Sequence, residues 1–221
     1  NLKSYDPAFA HELVTIVLDG IERMYGNDEK IFYYITLYNE NHFMPPQPKT
    51  DVSASILRGM YRLTEPESEP QARQVHLLAS GSIMQQALKS AVLLEEYDCG
   101  VVIWSVTSFN ELHRDATECQ RWNRLHPDMP PRLSHLETLL VDQRGAFVGV
   151  SDYMKAYAES ISQWVPGPFV ALGTDGFGLS ESREELRDYF EIAPAHIALA
   201  ALDALKNIGQ ATIEDVQSLM R

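Results

Sequence analysis

Only two cysteines, Cys99 and Cys119, occur in 221 residues. That is too few to staple a chain of this size, so a disulfide framework is excluded and both read as free thiols. No run of eighteen apolar residues and no charged-then-apolar leader occurs, which argues against a membrane span or a secretory signal. Basic residues are scarce, 18 against 31 acidic, and the net charge of −13 repels phosphate backbones and anionic lipid surfaces. Nucleic-acid and membrane partners are therefore not expected. With Asn rather than Met at position 1, the chain reads as a piece of a cytoplasmic protein.

Catalytic signatures are equally sparse. The seven histidines make no H-x-x-x-H pair and lack cysteine partners at zinc spacing. No G-x-S-x-G elbow occurs, and Ser80-Gly81-Ser82 reads as a helix cap. His113-Arg114-Asp115 spells a kinase-like tripeptide without the Asn and D-F-G that would give it meaning.

What is present is ordinary globular composition, 45% hydrophobic and 22% charged, arranged as alternating elements. Asp6-Pro7 predicts an N-cap and first helical position, with Phe9, Leu13, Ile16, Val17, Ile21 and Met24 at helical spacing up to Gly26. The apolar run Ile31–Leu37 predicts a strand covered on both faces. Pro-rich stretches, His42 to Pro48 and Thr64 to Pro70, bracket a segment of uncertain structure and mark a boundary. Beyond it come strands Val75–Ala79, Gly100–Val106, Ala146–Val150 and Phe169–Leu172. Between and after them fall helices Ser82–Tyr97, Leu112–Asn123, Ser134–Val141, Tyr153–Trp164, one from Ser182, Pro194–Lys206 and Thr212–Met220. Alternation of this kind predicts an α/β fold in three layers, a mostly parallel sheet flanked by helices.

Two loops stand out. Asn39, Glu40, Asn41 and His42 follow the carboxyl end of a strand, where open α/β sheets present side chains to ligands, the other reading being a plain solvent loop. Thr174, Asp175, Gly176, Phe177 and Gly178 fit neither a P-loop nor G-x-G-x-x-G, so a rigid turn shaping contact with neighbouring chain is expected, with Phe177 buried somewhere. Asp175-Gly176 followed by Asn207 superficially matches a metal-diphosphate signature, but Thr174 replaces the first glycine and Asn207 lies near a helix end.

The segments SYDPAFAHE, YYITLYNEN, WSVTSFNEL, CQRWNRLHP, SDYMKAYAE and GTDGFGLSESREELRDYFEI, in this order, resemble the C-terminal region of the homodimeric pyruvate dehydrogenase E1 components of the transketolase superfamily. The resemblance implies a transketolase C-terminal-domain-like fold. It divides the chain into a middle-domain tail (1–48), a connecting segment (49–72) and a C-terminal domain (73–221). For the full-length enzyme it implies thiamine diphosphate with magnesium, oxidative decarboxylation of pyruvate, a second E1 subunit, and acetyl transfer to a lipoyl-bearing E2 acetyltransferase. Catalytic, cofactor-binding and metal-ligating residues would then lie upstream of Asn1, leaving this piece structural, dimer-forming and inactive alone. Transketolases carry an Arg where this chain has Asn39, which suits a substrate without a phosphate. The alternative is a non-catalytic acidic α/β module that binds a protein partner.

Overall fold

The computed structural model describes residues 1–64 and 73–220, and part of the expected connection, 65–72, lies outside the described residues. Two sheets are present among the described residues. The smaller pairs β1 (Leu2–Tyr5) with β2 (Phe32–Ile35) in parallel, joined by α1 (Ala10–Ile21) and a π-type turn, Glu22–Gly26.

After β2 come α2 (Ser53–Leu57) and β3 (Met60–Arg62), then β4 (Arg73–Ala79), α3 (Met84–Glu95) and β5 (Cys99–Val106). The chain continues through α4 (Phe109–Leu125), α5 (His135–Leu140), β6 (Ala146–Val150), α6 (Lys155–Glu159) and β7 (Phe169–Leu172). It finishes with α7 (Arg183–Tyr189), α8 (Pro194–Asn207) and α9 (Ile213–Leu219). The larger sheet has the order β3-β5-β4-β6-β7, parallel except for β3, which runs antiparallel along β5.

The period of two along the strands builds the layers. Val75, Leu77 and Ala79 of β4 face Ile83, Met84, Ala87 and the Ile197–Leu205 stripe of α8. Leu78, with Trp104 and Phe147 of the neighbouring strands, faces Leu112, Leu136, Leu140 and Ala158 from α4, α5 and α6. These are the three layers that the alternation of elements predicts. His76 is buried among the aromatic side chains of the second face, with Trp104 Nε1 donating to its Nδ1 (3.3 Å) and its Nε2 at 2.9 Å from the Arg144 carbonyl.

Several expectations are corrected. Asp6 is not a helix cap: it is buried, and α1 begins at Ala10 instead. Glu12 ties down that first turn by accepting from the amides of Ala8 (2.6 Å) and Phe9 (3.0 Å), and also from Tyr61 and Ser105. The Ile31–Leu37 run is not covered on both faces. Only Tyr33 and Ile35 turn to the small core around Tyr5, Ile16, Ile56 and Tyr61, while Phe32 and Tyr34 are exposed. The segment before the boundary is α2 and β3, and the predicted Tyr153–Trp164 helix is α6 followed by a short 3₁₀ turn, Ser162–Trp164. Ser80 precedes a 3₁₀ turn, Gly81–Ile83, without a side-chain cap bond.

Candidate functional site

From β4 the chain crosses to β5 on one side, and from β6 it crosses to β7 on the other, so the crevice between the carboxyl ends of β4 and β6 is a topological switch point. That crevice is filled from within the chain. The Asp6 amide donates to the Thr107 carbonyl beyond β5 (2.7 Å), and the Asp6 carbonyl accepts from the Gly81 amide beyond β4 (3.1 Å). Its carboxylate accepts from Thr36 (2.5 Å) and from the Tyr38 hydroxyl. Burial pushes the Asp6 carboxyl up, its hydrogen bonds oppose this, and burial beside Asp6 pushes the Tyr38 phenol up as well. The small sheet is thereby plugged into the end of the large one at which its parallel strands have their carboxyl ends.

Beside the plug lies a cavity of ≈ 330 Å³ whose walls include Tyr38, Asp152, Leu179, Leu186, Phe190 and Ile192. Both loops singled out in the sequence reach it. Asn39 and Glu40 form one side, and Thr174, Gly176 and Gly178 the other. Asn39 Oδ1 accepts from Arg183 (2.6 Å), and Glu40 accepts from two nitrogens of Arg187 (3.1 and 2.5 Å). That pairing holds the Glu40 carboxyl below the usual carboxylate range. Asn41 and His42 are not among the lining residues, and His42 Nε2 lies 3.4 Å from the Ala8 carbonyl.

In the second loop, Asp175 Oδ1 accepts from the Lys155 amide (2.9 Å), and Gly176 takes the left-handed φ of +98° that its lack of a side chain allows. The expected burial of Phe177 does not occur within the chain, since the residue is 94% exposed. No close approach requires Gly178, because a Cβ there would meet nothing, whereas one on Gly173 would overlap the Tyr153 carbonyl.

The residues that hold this site together were hidden in the sequence. Arg183 and Arg187 are four apart on α7, and so share a face, but they read as a solvated stretch among Glu184, Glu185 and Asp188. Asp175 and Asn207 occupy separate local contacts, Asn207 with Asp203 (3.2 Å), so the described residues do not form a metal-diphosphate cradle. Among the described residues no cluster of three or more His, Cys, Asp or Glu could hold a metal.

Residues 59–193 match the family described as the transketolase-like TK C-terminal domain, and residues 1–45 match the pyruvate dehydrogenase E1 component middle domain. The chain belongs to the transketolase-like C-terminal domain family. Curated relatives of this family member include the pyruvate dehydrogenase E1 components of Pseudomonas aeruginosa (46% identical over 211 residues) and Escherichia coli K12 (43% over 213 residues). Each alignment covers 95% of this chain but only 24% and 23% of the relative, so the chain spans about a quarter of their length. Among solved structures, the transketolase of Campylobacter jejuni aligns with a TM-score of 0.59 at 20% identity, over 90% of this chain and 25% of that one. A Pichia stipitis transketolase in complex with sedoheptulose-7-phosphate gives 0.63 at 17%, over 96% and 26%. These two establish the transketolase C-terminal-like fold alone.

Proposed function

We propose that this chain is the C-terminal part of a pyruvate dehydrogenase E1 component, and the observation that carries the reading is the 46% identity over 211 residues to the Pseudomonas aeruginosa E1 component. In the full-length enzyme, thiamine diphosphate with magnesium supplies the carbanion chemistry that decarboxylates pyruvate, and the acetyl unit passes to lipoyl-E2. The segments run as 1–48 (middle-domain tail), 49–72 (connection) and 73–221 (C-terminal domain), with β3 reaching back from the connection to the edge of the C-terminal sheet. The work of this portion is structural. It plugs its own sheet crevice with Asp6, supports the Asn39–His42 loop, and contributes to a homodimer in the cytoplasm.

The isolated chain is expected not to bind the cofactor, because Asp175 and Asn207 are committed to unrelated local contacts. Titration calorimetry with thiamine diphosphate and Mg²⁺ checks this, and micromolar binding by the chain alone would overturn the assignment of the cofactor site to upstream residues. Pyruvate decarboxylation by the full-length protein tests the E1 reading itself.

A further inference from the structure

Between Thr36 and Met44 the chain forms no helix or strand, and Leu37 and Phe43 are mostly exposed. Its geometry therefore depends on side-chain anchors. Thr36 and Tyr38 are tied to Asp6, and His42 approaches the Ala8 carbonyl. The remaining tether comes from far along the chain: Arg187, 147 residues after Glu40, donates both terminal nitrogens to the two carboxylate oxygens. A fork of this kind fixes the plane of the carboxylate as well as its position, which a lysine could not do. Side-chain exposures of 15% and 25% leave the pair less screened than a surface ion pair. One helical turn earlier, Arg183 grips the adjacent Asn39. The two arginines thus bind successive residues of one unstructured segment to α7.

We propose that Arg187, assisted by Arg183, is a positioning residue, through which the domain built on β3–β7 fixes the segment Tyr38–Asn41 at the carboxyl end of β2. The kinetic consequence rests on the E1 reading above and on the segment's place at the carboxyl end of β2, where open α/β sheets present side chains to ligands. The clamp itself rests only on the contacts.

The test uses the full-length enzyme. Arg187→Ala and Glu40→Ala are each expected to lower kcat/KM for pyruvate by about tenfold per folded dimer, within the range of coupling in one ion-pair network. The double variant should lose no more than the worse single one, and Arg187→Lys should recover part of the loss. Amide exchange across 36–42 should quicken in Arg187→Ala. Should either alanine variant fail to fold, Arg187→Gln and Glu40→Gln carry the same cycle. Multiplicative losses, or unchanged kcat/KM per folded dimer, would overturn the positioning role. If the unmodified enzyme shows no pyruvate turnover, the E1 reading fails. The exchange comparison still decides the clamp, and unchanged exchange at 36–42 refutes it.

Discussion

Glu12 shows how far one side chain can commit a fold. It is fully buried and accepts four hydrogen bonds, from two amides, Tyr61 (2.8 Å) and Ser105 (2.5 Å), so it joins the start of α1 to β3 and β5. Gln at this position would turn an amide NH₂ toward donors, and Ala would take the acceptor away from all four, of which Tyr61 retains His11 Nε2 at 3.0 Å. Either change is expected to destabilise the protein by about 3 kcal/mol or more, read as a shift in the urea midpoint. His76 makes a complementary case. Its Nδ1 accepts from Trp104, so the ring must be neutral with the proton on Nε2, and burial lowers its pKa from 6.5 to about 4. Between those values the unfolded chain binds a proton that the native state refuses. Stability therefore falls as pH drops from 6.5 to about 4, by as much as roughly 3 kcal/mol. The stability difference between the native sequence and His76→Phe should shrink across that window, and a flat difference would mean that His76 does not titrate this way. Nothing in the sequence marked these two residues, because a buried polar group is identified by partners that are remote along the chain.

At the scale of elements, the four parallel strands were legible as short apolar runs, and several of the helices as periodic stretches that carry their own caps. Ser134 and Ser182 each cap a helix by accepting from the amide three residues on. Elements whose stability comes from elsewhere were not legible. β1 is four residues without a distinctive pattern, held by β2 and by Ser4 and Asp6 against α4 and the end of β5. The β2 run is apolar on both sides, yet only one side meets a core within this chain. The candidate site was half legible: strand ends pointed to Asn39 and Glu40, but the arginines of α7 arrive through tertiary structure. Gly81 is where the small sheet's plug meets the turn after β4. It holds φ at +51°, and a Cβ there would overlap the Tyr38 hydroxyl and both carboxylate oxygens of Asp6. Gly81→Ala should therefore lower stability by at least about 1 kcal/mol through the strained dihedral alone, and further through loss of the Asp6 network. Thermal unfolding measures the loss, and a variant as stable as the native chain would show that the plug is not rigid.

On the scale of the whole molecule, the outward face of α1 carries Val14, Val17, Leu18 and Ile21 at helical spacing, continued by Tyr25 in the π-type turn, all exposed, and Phe177 stands 94% exposed at the tip of its loop. Apolar side chains gathered in such a stripe mark surfaces that meet other protein, and the chain spans only about a quarter of its curated relatives. The net charge of −13 works against two copies meeting, so an association between them must draw on apolar burial and should tighten as salt screens the repulsion. Phe177 separates the two environments. In the isolated chain it buries nothing, so Phe177→Ala should leave the melting temperature unchanged. In the homodimer proposed for the full-length protein, with the loop docked against neighbouring chain, the same change should weaken association or stability by about 3 kcal/mol, in the range for a lost buried Phe. Turnover per remaining folded dimer should be retained. Sedimentation across a salt series distinguishes the outcomes: dimerisation that is insensitive to Phe177→Ala, with turnover reduced a hundredfold, would place the loop in the active site instead of the interface.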